Sequence, residues 1–325
     1  MGTVAKLILT GGTGFVGRHV QDALATGRYS CDLESLVVTG RERRRHRGPA
    51  QFVRWEAGVQ EFPDLVGDAL IHAATPVSAS ETQMNPELML HQIVQGAKSV
   101  IEWCSIQKEA PRVLFVSSGA VYGGLQPGLD AWAEDFAVEK NPTSPANAYE
   151  RGKRVAETLF ENAASAGLCR LTVARLFAFS GRHLPLDRHF AIGNFVRDAL
   201  EGGDIEVRGS GNAVRSYLDG DDMAHWLLTA LEAPDSVGRV IHVGSESPIS
   251  IRELASLVSV RAEQMLGGRP KVKVLGKTSS IDGYDRYVPS TSVTRELLGV
   301  SETVALAESI DDMLRFRSAE RGRLR

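Results

Sequence analysis

The stretch from Leu7 to Gly17, LILTGGTGFVG, constrains the fold more than any other part of the chain. Its apolar start is typical of a buried strand, and an apolar helical pattern follows the glycines. Gly12, Gly14 and Gly17 give G-x-G-x-x-G in the order strand, turn, helix, which predicts a dinucleotide site. Glycine lets a pyrophosphate approach the backbone, and the N–H groups that begin the next helix attract its charge. The alternative is an ordinary strand–helix turn.

Composition limits the class of protein and its partners. The 325 residues are 43% apolar and 24% charged, with a net charge of −3. These values are typical of a globular protein and argue against nucleic-acid or membrane partners. No apolar run approaches the roughly 20 residues of a membrane helix. Cys31, Cys104 and Cys169 have no metal-ligand spacing, so we interpret them as reduced thiols of a cytoplasmic protein.

Apolar, β-branched strand candidates alternate with long helical patterns through the first half of the chain. This pattern predicts an α/β fold, with a doubly wound parallel sheet over residues 1–176, return segments near 215–260, and a smaller substrate-binding α/β cap over 177–325. The predicted strands of the sheet are 6–9, 36–39, 52–55, 69–72, 113–117 and 172–176, and the helices between them are 15–25, 86–107 and 146–164. Helices are expected in the cap at 189–200, 222–231, 304–316 and after a capping box formed by Ser250 and Glu253.

Two short motifs carry candidate chemistry. Tyr149 and Lys153 are four residues apart in a helical pattern, so both side chains lie on one face. A neighbouring ammonium stabilises a phenolate, so we expect the pKa of Tyr149 to be lowered. Ser117 and Ser118 end a predicted strand, where ligands bind in such sheets. Either motif alone is more often a surface helix pair or an ordinary strand end.

Together these motifs resemble the extended short-chain dehydrogenase/reductase family, and within it the NAD(P)-dependent nucleotide-sugar epimerase/dehydratase group. The resemblance implies a Rossmann fold and runs through most of the chain. The matching motifs are Thr10-Gly11-x-x-Gly14-x-x-Gly17, His72-Ala73-Ala74, Ser117-Ser118 before Val121-Tyr122-Gly123, Tyr149-x-x-x-Lys153, Arg215-Ser216-Tyr217-Leu218 with Asp221, and Tyr287-Val288-Pro289 before Leu297-Leu298-Gly299.

The resemblance also implies a role for each matching residue. Tyr149 would be the general acid/base, Lys153 would lower its pKa and hold the nicotinamide ribose, and Ser118 would hydrogen-bond the reacting oxygen. Arg215 would pair with the diphosphate of a nucleotide-sugar, and Asn194 would lie in the same substrate pocket. The implied dinucleotide-binding residues are Gly11, Thr13, Gly14, Phe15, Val16, Gly17, Arg41, Ala73, Ala74, Tyr149 and Lys153.

Departures from the family pattern narrow the reaction. Ser118-Gly119-Ala120 stands where dehydrating relatives carry Thr-Asp-Glu, and decarboxylating relatives keep a glutamate at the position of Ala120. Without those acids, hydride transfer at one carbon remains, commonly C4. We therefore expect a 4-ketoreductase of nucleotide-diphospho-sugars. The alternatives are a 4-epimerase with tightly bound NAD, a reductase of small aldehydes or ketones, and a non-catalytic NADP-binding sensor. Ala178, where many relatives have a substrate-contacting asparagine, leaves the substrate's placement open.

Three further expectations concern the cofactor, the pocket and the assembly. No acid ends the second strand, and Arg41 stands there instead, which favours NADP over NAD because a guanidinium suits a 2′-phosphate. His183, Asp187 and His189 fall near the cap pocket, although each is more often structural or solvent-facing. The resemblance implies a homodimer through the helices at 86–107 and 146–164.

Overall fold

A computed structural model describes residues 4–29, 33–43, 48, 50–75, 85–125, 128–136, 148–187, 190–276 and 285–322. Strands and helices alternate along them. The strands are β1 (Lys6–Thr10), β2 (Ser35–Gly40), β3 (Gln51–Arg54), β4 (Ala69–His72), β5 (Arg112–Ser118), β6 (Arg170–Leu176), β7 (Phe179–Ser180), β8 (Ile205–Val207), β9 (Val214–Ser216), β10 (Leu218–Asp219), β11 (Val240–Val243), β12 (Pro248–Ser250), β13 (Val272–Val274) and β14 (Arg286–Tyr287). The helices are α1 (Phe15–Ala25), α2 (Pro86–Ser105), α3 (Ala148–Ser165), α4 (Ala191–Glu201), α5 (Gly220–Glu232), α6 (Ile251–Leu266), α7 (Ser292–Leu298) and α8 (Leu306–Glu320).

The central sheet has seven parallel strands in the order β11-β6-β5-β4-β1-β2-β3. Leu9 on β1 lies between Val38 on β2 and Ile71 on β4. The chain winds outward from β1 in one direction through β2 and β3, and then in the other from β4. The predicted doubly wound fold is therefore confirmed, and its switch point lies at the carboxyl ends of β1 and β4, where such folds bind ligands.

Both faces of this sheet are covered by helices because its strands are apolar on both sides. Val20 of α1 and Leu227 of α5 belong to the buried cluster on one face. Ile93 of α2 and Phe160 of α3 belong to the cluster on the other face. This covering explains why the strands have continuous apolar sequences rather than alternating ones.

A second apolar core lies in the cap. Helices α4, α6 and α8 pack around it, and Ile192, Leu254 and Ile310 are fully buried there. The predicted capping box of α6 is confirmed: the Ser250 hydroxyl accepts the Glu253 N–H, and the Glu253 carboxylate accepts the Ser250 N–H. Beside this core, β9 pairs with β12 on one side and β14 on the other.

The structure corrects some predicted boundaries and adds elements. Helix α1 has the predicted bounds, whereas α2 ends at Ser105 and not at the predicted Gln107. Strand β11 was not predicted, since its four residues include His242 and are too few to show a periodicity. Its pairing with β6 identifies it as a strand. None of the helices in the described ranges combines the length and apolarity needed to cross a bilayer.

His242 on β11 is a fully buried histidine whose hydrogen bonds fix its tautomer. Its Nδ1 lies 2.8 Å from the carbonyl of Ser290, which can only accept, so Nδ1 carries the proton. Its Nε2 lies 2.6 Å from the hydroxyl of Tyr122, and in the neutral ring this nitrogen accepts. Burial lowers the pKa of His242 to about 3.

Substituting His242→Gln should reduce the sensitivity of the fold to acid. The pKa of His242 is lowered on folding, so its contribution is complete above the unfolded value near 6.5 and is lost as pH falls toward 3. Between pH 7 and about 4.5, we expect the wild-type free energy of unfolding to fall by about 2 kcal/mol more than that of the variant. Urea denaturation at both pH values measures this difference, and equal losses in the two proteins would contradict it.

Candidate active site

The turn after β1 brings three backbone segments too close together for side chains. Gly11 has φ +67°, and a Cβ there would lie 2.6 Å from the carbonyl oxygen of Ala73. A Cβ on Gly17 would lie 2.4 Å from the Cα of Gly12. Gly14 precedes α1 and forms no side-chain cap with it. This geometry leaves backbone N–H groups at the start of α1, where a pyrophosphate would bind.

A cavity of about 130 Å³ lies beside this turn, at the carboxyl ends of β1, β2 and β4. Six of the predicted dinucleotide residues line it: Gly11, Thr13, Gly14, Arg41, Ala73 and Ala74. Phe15 and Val16 do not line it, because their side chains pack against the apolar core beside α1. Glu56, after β3, also lines the cavity and was not predicted.

Lys153 is buried with only 2% of its surface exposed. Its Nζ donates to the carbonyl of Val116 at 2.6 Å and to the hydroxyl of Thr75 at 2.7 Å. Thr75 also lines the dinucleotide cavity, so the lysine lies next to it. Burial lowers the pKa of Lys153 to about 7, although the carboxylate of Glu157 opposes the change.

Tyr149 lies one helical turn before this lysine on α3, and the Lys153 Nζ is 5.9 Å from the centre of its ring. The pKa of Tyr149 is raised by burial, while a side-chain hydrogen bond with Ser118 acts in the opposite direction. Burial therefore outweighs the lowering expected from Lys153, and that expectation is wrong. The lysine amine is directed to Val116 and Thr75, and desolvation of the phenol has the larger effect.

Ser118 is the last residue of β5 and begins a 3-10 turn, Gly119–Tyr122. Its hydroxyl accepts the N–H of Ala120 at 3.2 Å. A Cβ on Gly119 would lie 2.7 Å from the ring of Phe177 and 2.8 Å from the hydroxyl of Tyr287. Two aromatic side chains thus fill the space that an acidic side chain at Gly119 would need.

Two predicted substrate residues lie in or beside the cap. A cavity of about 740 Å³ there is lined by Asn194, Arg208 and Asp285, among others. Arg215, on β9, donates from Nη2 to the Asp285 carboxylate at 2.8 Å and from Nη1 to the carbonyls of Val214 and Asp285. Asn194 accepts a hydrogen bond from Arg197 at 3.2 Å. The guanidinium of Arg215 is therefore paired with Asp285, a residue that lines this cavity.

Two other predicted pocket residues, His183 and Asp187, do not line this cavity. His183 lies 2.8 Å from the carboxylate of Asp22 on α1 and belongs to a charged network outside this cavity. Asp187 is exposed, and His189 lies outside the described residues. Ala178 packs against the apolar core of the cap.

Sequence reasoning also missed a polar network behind the site. Glu157 accepts hydrogen bonds from Ser117 at 2.5 Å and from two nitrogens of Arg175, and the second arginine branch donates to Tyr122. All four side chains are buried, and a hydrogen bond between the Tyr122 hydroxyl and His242 extends the network. The sequence offers no signal for this set, because its members lie on β5, the 3-10 turn, α3, β6 and β11 without a common spacing.

Within the described ranges, no cluster of three or more histidine, cysteine or acidic residues has the geometry of a metal site. Cys104 and Cys169 are buried free thiols, and Cys31 lies outside those ranges. The candidate residues for the chemistry are Ser118, Tyr149 and Lys153, and Lys153 contacts the cavity through Thr75.

A Rossmann sheet with a tyrosine and a lysine one helical turn apart, beside the cavity at its switch point, defines the extended short-chain dehydrogenase/reductase class. The match to family models is more specific. Residues 7–244 match the NAD dependent epimerase/dehydratase family, and the chain belongs to that family.

Similarity to individual proteins extends over nearly the whole chain. UDP-glucuronic acid decarboxylase 1 of Danio rerio is 26% identical over 97% of this chain and 73% of its own length. The UDP-glucuronic acid 4-epimerase of Bacillus cereus, solved with UDP-glucuronic acid and NAD, has a TM-score of 0.78 at 19% identity over 97% of this chain and 99% of its own. RMD from Pseudomonas aeruginosa, solved with NADPH, has a TM-score of 0.75 at 20% identity over 97% of this chain and 100% of its own.

Proposed function

We propose that this chain is an NADP-dependent 4-ketoreductase of nucleotide-diphospho-sugars. One observation carries the proposal. The chain combines Ser118, Tyr149 and Lys153 with a turn, Gly119 and Ala120, that has no charged side chain. Family membership supports the nucleotide-sugar substrate class. The aromatic side chains packed over Gly119 support hydride transfer at a single carbon, because dehydration and decarboxylation in relatives depend on acids in this turn.

The residues that would hold the cofactor are those around the glycine turn. Gly11, Gly14 and the start of α1 would bind the pyrophosphate, and Lys153 with Thr75 lies where a ribose hydroxyl would be bound. The nicotinamide, when bound, supplies the hydride for the carbonyl carbon of the substrate. The tight contacts at these glycines leave no space for bulkier residues, which suits close approach of a pyrophosphate to the backbone.

Three side chains would then carry out the proton chemistry. Tyr149 gives its hydroxyl proton to the carbonyl oxygen of the sugar as that oxygen gains charge. Ser118 donates a hydrogen bond to the same oxygen and stabilises the developing oxyanion. The buried amine of Lys153 stabilises the phenolate that remains, and its pKa near 7 makes this charge dependent on pH.

The substrate would lie between this centre and the cap cavity. Its diphosphate would replace the Asp285 carboxylate as the partner of Arg215, since a guanidinium fork binds phosphate oxygens strongly. Asn194 would line the nucleotide end. In this proposal the protein is a cytoplasmic homodimer. Buried free thiols at Cys104 and Cys169 support the compartment, and the exposed apolar side chains Leu88 on α2 and Val155 on α3 support the interface.

The second candidate is a 4-epimerase that retains NAD, favoured by the structural similarity to the Bacillus cereus epimerase. Both reactions need Tyr149, but they differ in how the dinucleotide is held. A reductase exchanges its oxidised cofactor in each turnover, whereas an epimerase regenerates it and keeps it. Purified protein that carries stoichiometric NAD, and interconverts two UDP-sugars without added cofactor, would replace the reductase with the epimerase.

Removing the phenol should abolish most of the turnover. With UDP- and dTDP-linked 4-keto-hexoses and NADPH, Tyr149→Phe should lower kcat by about 100- to 10,000-fold, because the general acid is lost. KM should change by less than about threefold, since the ring remains in place. Nicotinamide absorbance follows the reaction, and Tyr29→Phe, on a tyrosine bonded to Glu232, is the matched control. Unchanged turnover in Tyr149→Phe would remove this residue from the mechanism and favour the binding-sensor alternative.

Removing the guanidinium of Arg215 should affect substrate binding rather than the chemical step. For Arg215→Ala we expect KM to rise by about 10- to 100-fold with kcat within about threefold, because a charge-assisted contact to the diphosphate is lost. Arg315→Ala, on an exposed arginine of α8, should leave both constants unchanged. An unaltered KM in Arg215→Ala would instead favour a small aldehyde or ketone as substrate.

Cofactor preference should depend on Arg41. We expect Arg41→Ala to weaken NADP binding by about tenfold and NAD binding by less than twofold, since only NADP has a 2′-phosphate for a guanidinium to bind. Calorimetry with both dinucleotides measures the two effects, and Arg170→Ala, at the opposite end of the sheet, is the control. A wild-type protein that binds NAD more tightly than NADP would overturn the cofactor assignment without affecting the roles of Tyr149 and Lys153.

A further inference from the structure

A buried side chain on α1 binds two carbonyls of the glycine turn. This side chain is Gln21, which has 4% of its surface exposed. Its Nε2 lies 2.6 Å from the carbonyl oxygen of Gly12 and 3.0 Å from that of Gly17. Both oxygens can only accept, so the nitrogen of the amide faces the turn and donates to both. One side chain therefore joins the start of the turn to the first turn of α1.

Gly12 is a position where a larger residue does not fit. A Cβ there would lie 2.1 Å from the side chain of Val38 on β2. The backbone of glycine has more conformational freedom than that of any other residue, so its own sterics do not fix this peptide. Two hydrogen bonds fix it instead. The Gly12 N–H donates to the carbonyl of Thr39 at 3.0 Å, and the Gly12 carbonyl accepts from Gln21.

The bond to Gln21 also determines the direction of the next N–H group. The peptide bonds of the described residues are all trans, so the Gly12 carbonyl and the Thr13 N–H point in opposite directions. Because the carbonyl is directed at Gln21, the Thr13 N–H is directed away from it. No described residue accepts this N–H, and Thr13 lines the dinucleotide cavity. The turn therefore offers a donor to an incoming ligand.

The other half of the Gln21 amide is not satisfied. Its Oε1 is buried and has no hydrogen-bond partner among the residues that the structure describes. A buried acceptor without a partner costs stability, and this cost offsets what the two donated bonds contribute. Stability alone is thus a weak reason for a glutamine at this position, and the bonded half of the amide requires another explanation.

We propose that Gln21 is a positioning residue for the dinucleotide: by binding the Gly12 carbonyl, it holds the peptide between Gly12 and Thr13 in the orientation that presents the Thr13 N–H to a phosphate oxygen of the cofactor. A donor that is already oriented binds an anion more tightly, because the protein loses less conformational freedom on binding. The inference rests on the proposed function only for the identity of the dinucleotide. Gln21 acts through the turn, since it is not among the described residues that line the dinucleotide cavity.

The test is Gln21→Met, which keeps the length of the side chain and removes the amide. By calorimetry, we expect the Kd of NADPH to rise by about five- to twentyfold, because the free turn then also adopts orientations that direct the Thr13 N–H elsewhere. At saturating dinucleotide, kcat should stay within about twofold of wild type and the KM of the nucleotide-sugar should not change, since the groups that act on the substrate are untouched.

Gln107 offers a matched control, because its amide makes the same pattern of bonds at another place. Its Nε2 donates to the carbonyl of Trp103, four residues earlier, at 3.2 Å and to the carbonyl of Leu65 at 3.4 Å. Leu65 precedes β4, whereas the dinucleotide cavity lies at the carboxyl end of that strand. Gln107→Met should therefore leave the Kd of NADPH within about twofold of wild type. Equal weakening by Gln107→Met and Gln21→Met would overturn the proposal.

Hydrogen exchange in the protein without dinucleotide gives a readout that needs no ligand. The amides of residues 10–17 should exchange faster in Gln21→Met than in wild type, because the Gly12 carbonyl has lost its donor. Gln21→Glu has the same length and no N–H to donate, so it should show the same two effects, and it carries the test if the methionine variant does not fold. Loss of folding in both variants would assign Gln21 to stability and overturn the positioning role.

The remaining outcomes separate this inference from the proposed function. An unchanged dinucleotide Kd in Gln21→Met overturns the inference, whether or not kcat falls. If wild-type protein binds NAD more tightly than NADPH, the same comparison is made with NAD. If wild-type protein reduces no nucleotide-sugar while Gln21→Met still weakens dinucleotide binding, the proposed function fails and the role of Gln21 stands.

Discussion

Burial of the Lys153 amine is the constraint on which the site depends. An ammonium group taken out of water is costly unless polar partners surround it. Here the carbonyl of Val116 and the hydroxyl of Thr75 supply those partners at 2.6 and 2.7 Å. The two contacts join α3 to the ends of β5 and β4, and they fix the helix face that carries Tyr149. The placement of Tyr149 thus follows from satisfying one buried amine.

A second buried polar system supports that arrangement from behind. Glu157, one turn further along α3, is paired with Arg175 at 2.8 Å with both side chains almost fully buried. Breaking such a pair leaves an uncompensated charge and typically costs about 3–5 kcal/mol, whereas the intact pair contributes little net stability. Arg175 also donates to Tyr122, whose hydroxyl reaches His242 on β11. The edge strand of the sheet is thereby connected to the helix that carries Tyr149.

Local patterns predicted much of this structure, and non-local contacts account for what they missed. The bounds of α1 and the capping box of α6 follow from glycine positions, apolar spacing and a Ser-x-x-Glu signature, all within a few residues. Strand β11 has four residues, and its assignment depends on pairing with β6 more than sixty residues earlier. The position of the Tyr287 hydroxyl beside Gly119 likewise depends on the pairing of β14 with β9, which no spacing in the sequence encodes.

The same reasoning explains the error on Tyr149. Proximity of Lys153 along the helix predicted a lowered pKa, but proximity does not determine which partners the amine selects or how much water the phenol loses. Only the folded chain shows that the amine is used elsewhere and that desolvation acts on both groups. The residue types were evident from the sequence, whereas their electrostatics required the tertiary structure.

The ion pair between Arg215 and Asp285 has a consequence for ligand exchange. An anion that approaches Arg215 meets a guanidinium already neutralised by a carboxylate tethered to the same chain, so association replaces one ionic partner with another. The tethered carboxylate acts as a competitor at a fixed, high local concentration, and it is present again at the moment a product begins to leave. If Arg215 binds a diphosphate as proposed, strong attraction can therefore coexist with rapid release, because Asp285 can pair with the arginine at either step.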